Sequence, residues 1–320
     1  MSRLWTVKFS RRKIIQSGIT IGVGMGAMQS FSFADTQGLP LISKPIPSTG
    51  EQLPVVGMGA LRYNKRKEME ERQAVVRRLP EIGGTVVDTA HAYGDSEAVI
   101  GEFTSSLANR KQLFIATKLT APGGDVAQGE AMLAESLRRL QTDHIDLMQV
   151  HNMTGAEAIL PKLAEWKQQG KLRYIGITTS KVPEHPQMLD LMRKYPLDFI
   201  QVDYSLGNRD AAYQILPLAQ ERRIAVLVNV PFGGRNKKRN LISLVGKRPL
   251  PEWAAEFDAT SWAQFLIKYI VSHPAVTCTI PGTTTVKHLE DNNRGARGRL
   301  PDAAMRQKME QFWDSMAGTI

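Results

Sequence analysis

Residues 85–102 read TVVDTAHAYGDSEAVIGE, and they contain one copy of a unit that recurs along the chain. The run TVVDTA is rich in valine and does not alternate apolar with polar residues, which predicts a strand buried on both faces. The amphipathic stretch EAVIGEFTSSL at 97–107 predicts a helix directly after it. Asp88 and Tyr93 lie between the two. This stretch therefore predicts one strand–helix unit with polar side chains at the junction.

The same alternation continues from residue 53 onward. Eight strand-like runs cover 55–60, 85–90, 113–118, 145–151, 172–178, 198–204, 224–230 and 275–280. Other amphipathic stretches cover 129–140, 157–170 and 262–272, and Gly170 stands where a helix prefers to end. Eight such units over about 240 residues predict an α/β fold, the (β/α)8 TIM barrel. A doubly wound open sheet is the alternative, but its usual GxGxxG turn is missing from GMGALR at 57–62.

Two regions depart from this alternation. Residues 41–54, LISKPIPSTGEQLP, predict an N-terminal β-hairpin around STGE that caps the N-terminal end of the barrel. Residues 231–259 predict a long loop after strand seven, at the end of the barrel where loops carry function. The loop contains the basic run GGRNKKRN at 233–240, which is interpreted as a solvated loop or a clamp for cofactor phosphates. No groove-reading motif accompanies it, so no nucleic-acid partner is expected.

Composition is that of an ordinary globular protein, with 320 residues, 42% hydrophobic and 22% charged. The net charge is +10, and residues 1–34 carry half of it, with five basic residues and no acid. The only cysteine, Cys278, excludes an intramolecular disulfide. It lies in the apolar run AVTCTI, which predicts a buried, inert thiol.

The N-terminal segment resembles a twin-arginine export signal. SRRKII at 10–15 is followed by the glycine-rich stretch 17–28, which is too short for a spanning helix, and by the small-x-small site at 32–34. A soluble amphipathic N-terminus and an uncleaved anchor are the alternatives. The resemblance predicts a signal over 1–34, a single barrel domain over 35–320, and a periplasmic or otherwise exported protein with no permanent membrane span. Its partner would be the twin-arginine export machinery, which carries proteins already folded around a cofactor.

Four polar side chains are expected to meet at one mouth of the barrel, because the ends of parallel strands lie at the same face. Asp88, Lys118 and His151 end strands two, three and four, and Tyr93 follows strand two. A tyrosine is a weak acid near neutral pH unless a nearby cation stabilises its phenolate, and Lys118 supplies such a cation. A histidine can orient a carbonyl oxygen. The set suits protonation of an oxygen that becomes negative as hydride reaches carbon.

Other readings of these residues are open. Each of the four, taken alone, is equally typical of a helix cap, a solvated charge or a core side chain. A metal hydrolase would use Asp88, His91, His144 and His151, but His144 precedes strand four and His151 ends it. The two histidines therefore lie at opposite ends of the barrel, and no metal site is expected.

Over residues 41–293 the chain resembles the aldo-keto reductase family. The resemblance is carried by TGEQLPVVGMGA, VVDTAHAYGDSEAVIGE, ATK, QVH, YIGITTS, QVDYS and IPGTTTVKHLEDN. It implies that Asp88, Tyr93, Lys118 and His151 form a catalytic tetrad with Tyr93 as general acid. It also implies NADPH as hydride donor, with NADH as the alternative, and a small-molecule carbonyl as substrate. A cofactor-binding barrel with little turnover, acting as redox sensor or auxiliary subunit, is the alternative function.

The resemblance also implies a set of cofactor-binding residues: Thr178, Thr179, Gln201, Asn229, Pro231, Phe232, Gly233, Gly282, Thr283, Thr284, His288, Asp291 and Asn292. Thr179 replaces the family's asparagine, and Asn229 replaces an aromatic residue that stacks on the nicotinamide. The lysine and arginine of the family's 2′-phosphate pocket are missing. The substrate pocket is expected to include His91, Asn152, Met153, Phe232 and Trp253.

Overall fold

A computed structural model describes residues 38–64, 66–234 and 240–317. The export-signal segment at 1–34 and the basic residues at 235–239 lie outside the described residues. The predictions made for those two stretches therefore stay predictions.

Strands and helices alternate along the described chain. The strands are β1 (Ser43–Pro45), β2 (Gln52–Pro54), β3 (Met58–Gly59), β4 (Val86–Asp88), β5 (Phe114–Leu119), β6 (Ile145–His151), β7 (Leu172–Thr178), β8 (Phe199–Asp203), β9 (Ala225–Asn229) and β10 (Val276–Thr279). The helices are α1 (Met69–Glu81), α2 (Ser96–Ser105), α3 (Val126–Leu140), α4 (Ala156–Gln168), α5 (His185–Lys194), α6 (Ile215–Glu221), α7 (Leu241–Val245), α8 (Trp262–Val271), α9 (Val286–Arg294) and α10 (Ala303–Ala317).

The eight strands β3 to β10 form one parallel sheet in chain order, and its two edges meet. Bridges join Val56 to Thr279 and Gly59 to Gly282. The backbone N–H of Thr279 also donates to Val55 O at 2.9 Å. This closure confirms the TIM barrel, and the open-sheet alternative is wrong. The predicted first strand, 55–60, is reduced to the two residues of β3. Val56, which precedes β3, pairs with the opposite edge only through an isolated bridge.

The N-terminal end of the barrel is covered by the predicted hairpin. β1 and β2 pair antiparallel, with Lys44 opposite Leu53. Glu51, between the two strands, accepts hydrogen bonds from Arg173 Nη2 at 2.6 Å and from the Tyr174 hydroxyl at 2.5 Å, at the start of β7. The hairpin prediction is therefore confirmed, and the C-terminal end of the barrel is left as the open end.

Two further predictions from the sequence can be compared with the structure. The connection after β9 is long, as predicted, but it contains α7 and a 3-10 turn over Glu252–Phe257. Cys278 is fully buried inside the barrel, as predicted, and burial raises the pKa of its thiol. Within the described ranges, no helix combines the length and apolar character needed to cross a membrane.

Candidate active site

A buried ion pair lies where β4 and β5 end. Lys118 Nζ donates to Asp88 Oδ2 at 2.6 Å and to Thr89 O at 2.7 Å. Lys118 is 1% exposed and Asp88 is 4% exposed. Burying two charges is costly unless they are paired and hydrogen-bonded, and both conditions hold here. The pair therefore fixes an ammonium group at the C-terminal end of the barrel.

The second oxygen of Asp88 extends this network across the barrel. Gln201 Nε2 donates to Asp88 Oδ1 at 2.7 Å, and Gln149 Nε2 lies 3.4 Å from the same atom. Gln201 Oε1 in turn accepts from the Thr178 hydroxyl at 3.0 Å. Side chains from β4, β6, β7 and β8 are thereby joined in one polar layer. Because buried networks of this kind fix side-chain positions, the layer holds Asp88 rigidly.

Tyr93 and His151 pack over the ion pair. Their ring centroids lie 5.6 Å apart with an interplanar angle of 79°. Lys118 Nζ lies 5.2 Å from the centroid of the Tyr93 ring. The backbone of His91 donates to Lys118 O at 3.1 Å, which ties the loop bearing Tyr93 to β5. The four predicted side chains are therefore in one place, as the strand-end argument required.

The imidazole of His151 is neutral at physiological pH. Burial, and then the positive charge of Lys118, lower the pKa of His151 to about 4. A neutral imidazole offers one N–H donor and one acceptor nitrogen. His151 can therefore donate a hydrogen bond to a ligand oxygen without carrying a charge of its own.

These side chains border a cavity of about 270 Å³. Ten of the predicted site residues line it: Asp88, Tyr93, His151, Thr178, Gln201, Asn229, Pro231, Phe232, Gly233 and Gly282. Asn152 and Val230, at the ends of β6 and β9, line it with φ of 50° and 49°. A positive φ is rare for a β-branched residue, and such backbone strain clusters at functional sites.

Asn229, at the end of β9, places its side-chain amide against the backbone of Thr179. Its Nδ2 donates to Thr179 O at 3.1 Å and lies 3.4 Å from Gln201 Oε1. Its Oδ1 is buried and has no hydrogen-bond partner among the residues that the structure describes. The Thr179 hydroxyl points elsewhere and donates to Glu184. Asn229 therefore lies in the cavity lining with its amide nitrogen bonded to the protein and its amide oxygen buried without a described partner.

The predicted residues after β10 lie beside the cavity rather than in its lining, apart from Gly282. Thr283 is buried, and its hydroxyl donates to Pro281 O at 2.9 Å and accepts from Asn292 Nδ2 at 3.3 Å. Asp291 accepts from Gln264 Nε2 at 2.7 Å, which ties α9 to α8. The side chain of Thr284 is half-buried and that of His288 is exposed. These residues therefore shape the segment around the start of α9 and hold it to the barrel.

The sequence profile of the Aldo/keto reductase family matches residues 55–311, which is most of the chain. The chain belongs to this family. It is 28% identical over 256 residues to methylglyoxal reductase YeaE of Escherichia coli, covering 78% of this chain and 88% of that protein. It is 25% identical over 305 residues to aldo-keto reductase yakc [NADP(+)] of Schizosaccharomyces pombe, covering 81% and 88%.

Solved structures of aldo-keto reductases share the fold. AKR11C1 from Bacillus halodurans, in its holo form, superposes with a TM-score of 0.69 at 21% identity, covering 85% of this chain and 96% of that one. An aldo-keto reductase from Klebsiella pneumoniae in complex with NADPH gives 0.66 at 21% identity, with the same coverage. The likeness confirms the barrel architecture of this aldo-keto reductase.

Sequence reasoning missed several residues of this aldo-keto reductase's cavity and misplaced others. Arg62, in the turn after β3, lines the cavity, and the only sequence signal was its place after a strand. Gln149, which approaches Asp88 beneath the cavity and does not line it, was also missed, although it lies two residues before His151 and so on the same side of β6. Met153 and Trp253, expected in the substrate pocket, pack into the hydrophobic core instead. Neither could be placed from the sequence, because the loops after β6 and β9 turn these side chains away from the cavity.

Proposed function

We propose that this aldo-keto reductase reduces an aldehyde or ketone to an alcohol with NADPH as the hydride donor. The observation that carries the proposal is the packing of the Tyr93 ring against Lys118 and His151 in one cavity. A phenol, a buried cation and a neutral imidazole are the groups that a carbonyl oxygen needs as it gains charge. With these groups assembled, we do not favour the auxiliary-subunit alternative.

The reaction follows from where the protons and charges lie. His151 donates a hydrogen bond to the carbonyl oxygen and orients it. When bound, the reduced nicotinamide supplies a hydride to the carbonyl carbon. Tyr93 transfers its hydroxyl proton to the oxygen, which completes the alcohol, and the phenolate takes a proton back from solvent.

The ion pair supports this proton transfer. The ammonium of Lys118 lies 5.2 Å from the centre of the Tyr93 ring and stabilises the phenolate left behind. Asp88 keeps that ammonium in place and balances its charge in the resting site. Lys118 itself has no acid–base step in this scheme. Its role is to make the loss of the Tyr93 proton less costly.

The residues at the cavity fit a nicotinamide. Its carboxamide carries two N–H donors and one acceptor, and Asn229 brings a side-chain amide to the cavity lining. Thr178 and Gln201 line the same wall. Asn229 cannot stack as an aromatic ring does, so we propose that it replaces stacking by a hydrogen bond. The amide that the family has at position 179 is then supplied from β9.

We propose NADPH rather than NADH because the start of α9 can bind the additional phosphate of NADPH. Helix α9 begins beside the cavity after Thr283 and Thr284, and backbone N–H groups at a helix N-terminus bind phosphate. Lys287, in its first turn, adds a positive charge. Two relatives carry NADP(+) or NADPH in their descriptions.

Tyr93→Phe tests the assigned chemistry. We expect NADPH oxidation in the presence of an aldehyde to fall by about 10²- to 10⁴-fold, because the acidic proton is removed. Affinity for NADPH, measured by fluorescence titration, should be retained. Tyr213→Phe removes the same atom from a side chain that is 77% exposed on the surface, and it serves as the matched control. Retained turnover in Tyr93→Phe contradicts the role of Tyr93.

We also propose that residues 1–34 direct export of the folded barrel at 35–320 through the twin-arginine pathway. The support is the sequence alone: Arg11 and Arg12, the absence of acidic residues from 1–34, and the site at 32–34. Fractionation of cells that produce the chain tests this. Recovery of the protein only with the cytoplasmic fraction contradicts it.

A further inference from the structure

Arg62 lies in a turn that is built against the catalytic loop. The backbone N–H of Ala60 donates to Asp88 O at 2.8 Å, and the Ser96 hydroxyl donates to Ala60 O at 2.8 Å. Asp88 and Ser96 flank the loop that carries Tyr93. The start of the turn is therefore fixed relative to Tyr93, and Arg62 lines the same cavity.

The far side of the turn is also held. Tyr63, the next residue, is fully buried, and its ring lies under the Arg72 guanidinium at 5.6 Å. A Cβ atom on Gly94 would come within 2.9 Å of Asn64 O, so the turn touches the catalytic loop directly. Arg62 is thus an exposed side chain on a fixed backbone, anchored on both sides.

The charges of the cavity lining leave Arg62 uncompensated. Among the described lining residues, the charged side chains are Arg62 and Asp88. The charge of Asp88 is balanced by the buried ammonium of Lys118 at 2.6 Å. His151 is neutral because burial and Lys118 lower its pKa. No hydrogen bond or ion pair links the Arg62 side chain to another residue of the described ranges.

We infer that Arg62 selects carbonyl substrates that carry a carboxylate. This inference rests on the proposed reductase function and names the substrate class of that site. A guanidinium presents a planar fork of donors that matches a carboxylate in a bidentate arrangement. Arg62 brings a single positive charge to the cavity lining, and one carboxylate balances it. A carboxylate on the ligand would supply the negative charge that the described cavity lining does not offer to Arg62.

Two aldehydes of equal shape test the inference in the full chain with NADPH. Para-carboxybenzaldehyde carries the carboxylate, and para-formylbenzamide replaces it by a neutral amide. We expect kcat/KM to favour the carboxylate in the wild-type protein. In Arg62→Gln this preference should fall by about tenfold or more, because a hydrogen bond to a charged group is lost. The preference should also weaken as salt is added, since the guanidinium is exposed.

Arg66→Gln is the matched control. It makes the same substitution four residues later, in an arginine that pairs with Glu102 at 2.8 Å and lies outside the cavity lining. Its preference between the two aldehydes should equal that of the wild-type protein.

The remaining outcomes distinguish the proposed reductase function from the role of Arg62 in substrate selection. Wild-type protein that reduces both aldehydes equally well overturns the role of Arg62 and leaves the reductase function intact. Weaker NADPH binding in Arg62→Gln, with the preference unchanged, overturns the inference by assigning the guanidinium to the cofactor's diphosphate. Failure to reduce either aldehyde while NADPH binds contradicts the proposed function, and the inference falls with it.

Discussion

At the scale of single residues, the catalytic centre works because its buried cation has a defined partner. Lys118 is paired with Asp88, so the positive field at Tyr93 comes from an ammonium that cannot move away. His151 is kept uncharged by burial and, second, by the same ammonium, which together lower its pKa. A protonated His151 would place two cations side by side in a low-dielectric cavity. Lys118 therefore acts as the cation of the site, and His151 acts as its neutral hydrogen-bond donor.

The pH dependence of the reaction should show this separation. An ordinary histidine titrates near 6.5, whereas the pKa of His151 is lowered to about 4. We therefore expect kcat/KM to show no inflection from His151 near pH 6.5 and to fall only as pH approaches that lower value. An inflection at 6.5 that disappears in His151→Asn contradicts the assignment.

The lowered pKa of His151 also makes the free energy of unfolding depend on pH. The folded pKa of His151 lies below its unfolded value of 6.5, so the unfolded chain binds the proton first as pH falls. The free energy of unfolding should therefore decrease from pH 6.5 towards pH 4, and less steeply in His151→Asn. Urea unfolding of both proteins across this pH range measures the two slopes, and equal slopes would contradict the lowered pKa of His151.

At the scale of elements, the site residues that could be predicted from the sequence are those at the ends of strands. Asp88, Lys118 and His151 were predictable because parallel strands bring their C-terminal ends to one face, whatever the exact register. Arg62 and the contacts of Asn229 were not, since they depend on a turn geometry and on side-chain rotamers. The exact bounds of β3 were also beyond prediction, because its pairing is set by the closure of the barrel.

The turn between β6 and α4 offers a test of how tightly the elements that carry the site are packed. Gly155 has a φ of 72°, and a Cβ atom there would lie 1.8 Å from Ala121 O. Gly170, at the end of α4, has a φ of 76° and open space around it. Both would strain an alanine backbone, by about 1 kcal/mol, but only Gly155 also meets a backbone clash.

Gly155→Ala should therefore lower the free energy of unfolding clearly more than Gly170→Ala. It should also lower kcat, since the displaced turn follows His151 by four residues. Urea unfolding of both variants measures the difference. An equal cost for the two substitutions contradicts the close approach of the turn to Ala121.

At the scale of the whole barrel, one end is closed and the other is free for chemistry. Lys44 of the hairpin donates to the carbonyl oxygens of Val271, His273 and Val276 at 2.7–2.8 Å, which fastens the cover to the end of α8 and the start of β10. The cavity with Tyr93 lies at the opposite end. Ligands therefore have to be bound by the loops after the strands, and binding there should stabilise the folded barrel as a whole.

Titration of the full chain with NADPH and, separately, with NADH tests the central claim most directly, because every step assigned to Tyr93 and Arg62 requires the cofactor in this cavity. Nicotinamide fluorescence reports binding, and the unfolding temperature reports it independently. We predict saturable NADPH binding that is tighter than NADH binding and a higher unfolding temperature with NADPH present. No binding of either nucleotide, and no change in unfolding temperature, contradicts the account.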